Sequence, residues 1–322
     1  MTPTRPPDPV FIAGRQHSGN TMLAAALGRL PGVLGCLEEG NYFERRRAIA
    51  ARPPQDRVAA VVQRLRKDGA PVPEPTKLLL STSLTKLVET GASTDDLYRQ
   101  GMRLILDVEG CTRWVQKATS YVFHADSILA VFPGAHIVFL ARNPLDIAAS
   151  LRQRGYPNDL FRMAWGWRVG LRRAIALQHR HPTRFRIVRY EDLVRGPEAV
   201  VRGVCEFAGL PYTSEALRVA HVNRAEDKYA LTSERQGFTA SRVFHYGGTI
   251  GRGEESAVRR LVGGLLDELY PELTQTTSRG VVELEGIARL GSGALYLAAS
   301  QIRRMAKQPK EVARRTWRRL AR

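Results

Sequence analysis

Residues 10–21 have the sequence VFIAGRQHSGNT, in which a short apolar run leads into a glycine-containing turn. The apolar run predicts a buried strand, and the alanine- and leucine-rich residues after Thr21 predict a helix. Gly14 and Gly19 fit the pattern Gly-x4-Gly-x-Thr, which is typical of loops whose backbone N–H groups hold a phosphate at a helix N-terminus. Asn20 stands where a nucleotide triphosphatase has lysine, so ordinary ATP hydrolysis is not indicated. A plain strand-to-helix turn is the alternative.

The composition limits the class of protein. With 322 residues, 43% hydrophobic and 25% charged, the chain is long enough for one large globular domain and is neither wholly disordered nor fibrous. It has no run of about 18 apolar residues and no signal-like N-terminus, which predicts a cytoplasmic protein without a membrane-spanning helix. Its cysteines, Cys36, Cys111 and Cys205, are too widely spaced to indicate a disulfide framework or a cysteine zinc site.

Positive charge is concentrated at the C-terminus. The chain has 49 basic and 31 acidic residues, a net charge of +18, and residues 303–322 alone include nine basic residues and one acidic residue. We expect residues 281–322 to form a basic helical tail that binds an anionic membrane surface, so that the protein is peripheral to the membrane. A solvated helix packed on the domain is the alternative. No nucleic-acid-binding module is recognised, and a specific nucleic-acid partner is not expected.

Apolar runs alternate with helical patterns along the rest of the chain. Strands are predicted at 113–117, 136–141 and 185–190, and helices at 55–67, 97–108, 121–131, 144–154, 160–179, 197–208 and 256–269. Residues 31–37 are predicted to be a loop. This alternation favours an α/β fold with a central parallel β-sheet flanked by helices. We expect a single α/β domain over 9–280, after a disordered N-terminus at 1–8 and before the tail.

Two further motifs follow predicted strands, where open α/β sheets bind their ligands. One is Phe139-Leu-Ala-Arg-Asn-Pro-Leu-Asp-Ile-Ala-Ala-Ser150, and the other is Arg189-Tyr-Glu-Asp-Leu193. Together with residues 10–21, these motifs resemble, in order and spacing, the 5′-phosphosulfate loop, the 3′-phosphate motif and the next segment of sulfotransferases. The resemblance is to the bacterial type, with some likeness to tyrosylprotein sulfotransferases, and it extends over about residues 9 to 273.

The resemblance implies a fold related to P-loop nucleotide kinases. It also implies sulfuryl transfer from 3′-phosphoadenosine 5′-phosphosulfate (PAPS) to a hydroxyl or amine of a small-molecule, carbohydrate or lipid-linked acceptor, without a metal ion. By this resemblance the loop holds the 5′-phosphosulfate, Arg142 and Ser150 hold the 3′-phosphate, and Tyr190 lies near the nucleotide. The candidate nucleotide-binding residues are Arg15, Gln16, His17, Ser18, Gly19, Asn20, Thr21, Arg142, Ser150, Tyr190, Arg242, Gly251 and Arg252.

Two positions depart from the family pattern. His17 stands where the family usually has lysine or arginine, a cation that helps to neutralise charge on the leaving phosphate. Gly253 stands where tryptophan follows the Gly-Arg pair of the C-terminal loop. Both departures support a non-catalytic, nucleotide-binding relative at a membrane surface as an alternative. A degenerate P-loop kinase is a second alternative and would need an acidic metal site.

An acceptor hydroxyl needs a base to take its proton. Glu38 and Glu39 follow the first predicted helix, at a position where a glutamate resembles the base of tyrosylprotein and many bacterial sulfotransferases. Glu39 is the preferred base, Glu38 is the close alternative, and His17 is the rival candidate. Lys117, at the end of a predicted strand, is expected to stabilise charge on the bridging oxygen. The alternative is that these charged residues are solvated surface side chains. The sequence leaves the identity of the acceptor and the oligomeric state open.

Overall fold

Five parallel strands form the central sheet of the computed structural model, which describes residues 8–65, 72–155, 160–219 and 237–276, together with Gly291. The strands are β1 (Val10–Gly14), β2 (Val33–Cys36), β3 (Arg113–Lys117), β4 (His136–Ala141) and β5 (Phe185–Arg189). Their order across the sheet is β2-β3-β1-β4-β5, so the first strand lies at the centre. The predicted α/β fold with a parallel sheet is therefore confirmed.

Twelve helices belong to the described residues. They are α1 (Asn20–Leu27), α2 (Tyr42–Ala50), α3 (Pro54–Val62), α4 (Glu74–Glu89), α5 (Thr94–Val108), α6 (Tyr121–Val131), α7 (Pro144–Gln153), α8 (Leu160–Arg180), α9 (Tyr190–Arg195), α10 (Pro197–Ala208), α11 (Arg252–Val262) and α12 (Leu265–Leu269). Two 3₁₀ segments, Ser214–Leu217 and Pro271–Thr276, complete the described structure. None of the helices in these ranges is long and apolar enough to cross a membrane.

The described residues divide between two compact units. The first contains those up to Arg142 and those from Gly170 to Ser241, and it includes the whole sheet. The second contains those from Asn143 to Val169 and those from Arg242 onward. Within the second unit, the side chain of Asp146 in α7 accepts a hydrogen bond of 2.7 Å from the backbone N–H of Phe244. This hydrogen bond links the two chain segments that make up the second unit.

Buried aromatic rings fill one side of the sheet in the first unit. The ring of Phe11 in β1 meets Tyr121 of α6 edge-on at 5.2 Å between centroids and Phe43 of α2 at 5.8 Å. Tyr42 and Tyr98 stack in parallel at 3.9 Å and link α2 to α5. These rings are shielded from water, and the apolar area that they bury anchors the helices that flank the sheet.

Four local predictions are corrected by the structure. The predicted loop at 31–37 contains strand β2, which pairs with β3 at the edge of the sheet. Tyr190 begins the short helix α9 instead of ending β5. The predicted helix at 55–67 ends at Val62, and the one at 256–269 begins four residues early, at Arg252, and is interrupted at Gly263, whose φ of 63° ends α11.

Some predictions concern residues outside the described ranges. Most of the tail at 281–322 and the N-terminal residues 1–7 lie there, as does the predicted end of the α/β domain at residue 280. What the sequence predicts for these segments, and for the domain boundaries, therefore remains a prediction.

Candidate active site

The phosphate loop occupies the turn between β1 and α1. Pairing of Gly14 with Leu140 brings the end of β1 level with the end of β4, which is the strand that leads to Arg142. Gly19 has a φ of 86°, a left-handed conformation that favours glycine. A Cβ at this position would also lie 2.8 Å from Cδ2 of Tyr190, so the loop needs glycine for both reasons.

Ser18 is the residue of the loop that best fits an anion. Its side chain is fully buried, and its Oγ has no hydrogen-bond partner among the described residues. Leaving a buried hydroxyl unpaired costs about 1–3 kcal/mol. The hydroxyl precedes the first turn of α1, where free backbone N–H groups and the helix dipole favour negative charge. A phosphate oxygen would satisfy this hydroxyl, so the loop is suited to bind a phosphate group.

Asn20 closes the loop from inside. Its amide Nδ2 donates to the backbone oxygens of Gly14 at 3.0 Å and Arg15 at 3.1 Å. The side chain that replaces the lysine of a nucleotide triphosphatase therefore shapes the loop. Around it, Gln16 is exposed, while Arg15 and Thr21 are partly buried.

Arg142 contacts both the loop and the neighbouring Tyr190. Its Nη1 donates to the backbone oxygen of His17 at 2.8 Å, and its guanidinium lies 4.4 Å from the ring centroid of Tyr190. The side chain is buried, with only 8% of the residue exposed. His17 itself has a φ of 67°, and its imidazole is partly buried. A buried arginine has five N–H donors, so a guanidinium beside the loop is suited to bind a phosphate.

Glu39 and Lys117, predicted separately as catalytic candidates, lie side by side. Pairing of Cys36 with Gln116 brings the residues after β2 level with the end of β3. Lys117 Nζ is 3.8 Å from Glu39 Oε1, and the same oxygen accepts a 3.2 Å hydrogen bond from the backbone N–H of Thr119. Glu38 forms no such pair within the described part of the chain and is only partly buried.

A second carboxylate was missed by the sequence analysis. Glu44 in α2 accepts a hydrogen bond from the hydroxyl of Ser120, one residue after Thr119. Burial is the main cause that raises the pKa of Tyr121 well above its usual range, and Tyr98, Glu44 and Glu39 also contribute. Glu44 was missed because no helix was predicted over Tyr42–Ala50, and the helix is what directs this side chain towards Ser120.

Four other predicted nucleotide-binding residues belong to the second unit. Ser150 lies on α7 and is partly buried, and Arg242 donates from Nη1 to Gln153 Oε1 at 2.7 Å. Gly251 is the N-cap of α11, and Arg252 is its first, exposed residue. Within the described ranges, no group of three or more His, Cys, Asp and Glu side chains is arranged to hold a metal ion.

The sulfotransferase family model matches residues 9–214, which include the phosphate loop, Glu39, Lys117, Arg142 and Tyr190. The chain belongs to the sulfotransferase family. The chain is also similar to the sulfotransferase domain from the curacin biosynthetic pathway. The match covers 80% of this chain and 98% of that domain, with 17% identity and a TM-score of 0.51. This likeness supports the fold that the motifs predict for the family, a P-loop-like sheet with flanking helices.

Two further proteins match the chain. The sulfotransferase domain of the Synechococcus PCC 7002 olefin synthase is 19% identical over 90% of this chain and 96% of that chain, with a TM-score of 0.49. An uncharacterized protein of Aquifex aeolicus is 29% identical over 141 residues. The match covers 41% of this chain and spans only 18% of that curated relative.

Proposed function

We propose that this sulfotransferase-family protein transfers the sulfuryl group of PAPS to a hydroxyl or amine of its acceptor. The observation that carries the proposal is the buried, unpaired hydroxyl of Ser18 in the phosphate loop, next to the helix N-terminus. A hydroxyl in this position gains a partner when an anion occupies the loop. Arg142, which contacts the backbone of the same loop, supplies the positive charge for the 3′-phosphate, and Ser150 contributes by its place in the family motif.

When bound, PAPS supplies the activated sulfuryl group, and the side chains around the loop supply positioning and proton transfer. Glu39 accepts the proton of the acceptor hydroxyl as the oxygen of that hydroxyl bonds to sulfur and the sulfur–oxygen bond to the 5′-phosphate breaks. Thr119 and Lys117 fix the position of the Glu39 carboxylate through their contacts with Oε1. The ammonium of Lys117 offsets the charge that develops on the bridging oxygen.

Asn20 distinguishes this phosphate loop from the loop of a P-loop kinase. A kinase or nucleotide triphosphatase of this type uses the lysine at that position to reach the β- and γ-phosphates. Here the side chain makes two hydrogen bonds to the loop backbone instead. The loop is therefore better suited to a single phosphate that carries a sulfuryl group than to a triphosphate with Mg²⁺.

The basic C-terminal segment gives a second proposal, which concerns partners. Residues 303–322 include nine basic residues and one acidic residue, interspersed with apolar ones such as Trp317 and Leu320. We propose that this tail binds anionic membrane surfaces, since basic amphipathic segments associate with anionic lipids.

Nucleotide titration tests the main proposal. Calorimetry with adenosine 3′,5′-bisphosphate and, separately, with ATP and Mg²⁺ should give tight binding of the bisphosphate alone. Transfer of ³⁵S from labelled PAPS to a panel of phenols, sugars and amines then tests activity. Preferential binding of ATP with Mg²⁺ would favour the kinase alternative. Bisphosphate binding without transfer to any acceptor would favour the non-catalytic alternative.

A further inference from the structure

An exposed apolar surface runs along the first half of α8. Trp165 is 51% exposed and Val169 is 36% exposed, and the ring of Trp165 stacks parallel to that of Phe161 at 6.5 Å between centroids. The spacing of four residues places the three side chains on one face of the helix. We call Phe161, Trp165 and Val169 the aromatic stripe. All three belong to the second unit.

The packing of α8 on the rest of the protein uses its other faces. Met163, Ala164 and Trp167 on the opposite side are buried. Arg168 donates from Nη1 to the backbone oxygen of Leu261 at 3.0 Å and so ties α8 to α11. Single exposed apolar residues are ordinary, but apolar side chains at successive turns of one helix form a continuous patch, and covering it releases water from apolar surface. The aromatic stripe is therefore suited to a partner from outside the chain.

The charge of α8 restricts which partner can cover the stripe. The 21 residues of the helix include five arginines and no acidic residue. Arg162 is exposed and lies three residues before Trp165, on the same face of the helix. A symmetric pairing with a second copy of α8 would bring arginines together without a carboxylate from either helix, and like charges repel. A partner that is both apolar and anionic fits better.

A membrane that contains anionic lipids has both properties. Its headgroups attract arginine, and tryptophan and phenylalanine are favoured at the boundary between the headgroups and the acyl chains. In the sequence, the basic residues 303–322 follow the described residues of the second unit. Two linked contacts with one surface bind more tightly than either contact alone. A membrane contact of the stripe would therefore reinforce the one proposed for the tail.

We propose that the aromatic stripe docks on the surface of an anionic membrane, with Trp165 and Val169 inserted among the lipid headgroups and Arg162 beside the lipid phosphates. The inference goes beyond sulfuryl transfer and does not rest on it. It adds a contact from the folded part of the chain to the contact proposed for the tail. Substitutions in the stripe leave residues 303–322 intact, so the two contacts can be tested separately.

Vesicle binding of the full chain tests the proposal. On vesicles of phosphatidylcholine with phosphatidylserine, Trp165→Gln/Val169→Gln should bind about five- to tenfold more weakly than wild type, because less apolar surface leaves water on docking. The matched control is Leu78→Gln/Leu79→Gln on α4, whose leucines are 70% and 41% exposed, and it should bind like wild type. Both double variants change exposed side chains, and melting curves check that both are folded.

A charge variant and a fluorescence measurement give independent readouts. Arg162→Gln should lose about fivefold in affinity for the phosphatidylserine vesicles and little for pure phosphatidylcholine, whereas Arg47→Gln, at an exposed position on α2, should lose less. Lipids with brominated acyl chains quench tryptophan that inserts among them. Trp165→Phe keeps an aromatic ring, so it should bind nearly as well as wild type and show less quenching.

Four results would overturn the proposal. The first is unchanged vesicle affinity in Trp165→Gln/Val169→Gln, which would leave the tail as the membrane contact if deletion of 303–322 abolishes binding. The second is an equal loss in the control on α4. The third is equal quenching of wild type and Trp165→Phe. The fourth is a dimer in sedimentation velocity without lipid that the stripe variant abolishes while vesicle binding is unchanged, because the occupant would then be a second copy of the chain.

Discussion

Replacing Glu39 by glutamine tests the proposed base with little change in shape. The glutamine oxygen can still accept the hydrogen bond that Thr119 N–H makes to Glu39 Oε1 at 3.2 Å. The pair with Lys117 is lost, but these side chains are 32% and 16% exposed, and we expect a cost in stability below about 1 kcal/mol. Loss of a general base typically lowers the rate by about 10²- to 10⁴-fold, which corresponds to about 2.7–5.4 kcal/mol in the activation free energy. Glu39→Gln should therefore lower kcat by that factor and leave the affinity for PAPS nearly unchanged.

The assay is ³⁵S transfer to the best acceptor of the panel, with calorimetry for the nucleotide and a melting curve for the fold. Glu38→Gln is the matched control, because it removes the same charge one residue away, and it should change kcat far less. A folded Glu39→Gln protein with kcat within threefold of wild type would refute the assignment. If Glu38→Gln is the inactive variant, the neighbouring carboxylate is the base. If both stay active while His17→Ala is inactive with intact nucleotide binding, the base is His17.

Four other outcomes are expected. Ser18→Ala should bind adenosine 3′,5′-bisphosphate more weakly but melt no earlier than wild type, because it removes an unpaired buried hydroxyl. Arg142→Ala should lose about 10- to 150-fold in affinity for the same nucleotide, as for a charged hydrogen bond of about 1.5–3 kcal/mol. Calorimetry checks both, and unchanged affinity in either variant would contradict its role. Sulfuryl transfer should survive EDTA, and loss of transfer that Mg²⁺ restores would favour the kinase alternative. Deleting residues 303–322 should preserve nucleotide binding and reduce sedimentation with phosphatidylserine vesicles at low salt, and equal sedimentation would contradict the proposed membrane contact.

Strands and helices with strong local signals could be predicted from the sequence. The apolar run at 136–141 predicts β4, and proline at the first helical position predicts the starts of α7 and α10, as observed. Ser93 caps α5 and forms a capping box with Asp96. These elements are specified by residues within the element itself, which is why periodicity and capping rules find them.

Elements that depend on tertiary packing could not be predicted in the same way. Strand β2 has only four residues, including Gly35, and it exists because β3 pairs with it at the sheet edge. Helix α2 has the sequence YFERRRAIA, in which polar residues outnumber the few apolar ones that pack on the core. Its position depends on the stacking of Tyr42 against Tyr98 and on the ion pair between Arg46 and Asp95. Because α2 is not predicted, the position of Glu44 is not predicted either.

Asn20 and His17 both take part in hydrogen bonds that involve the backbone of the phosphate loop. Asn20 ties the loop backbone together from inside, and His17 presents its backbone oxygen to Arg142 from outside. His17 therefore contacts Arg142 through its main chain. Histidine in place of the lysine or arginine that is usual in the family leaves that contact available. What the change removes is a permanent positive charge near the leaving phosphate, because imidazole is charged only when protonated. In the proposed reaction, Lys117 and Arg142 are two permanent cations near this edge of the sheet that would offset the charge. Their contribution to the rate should accordingly be larger than that of His17.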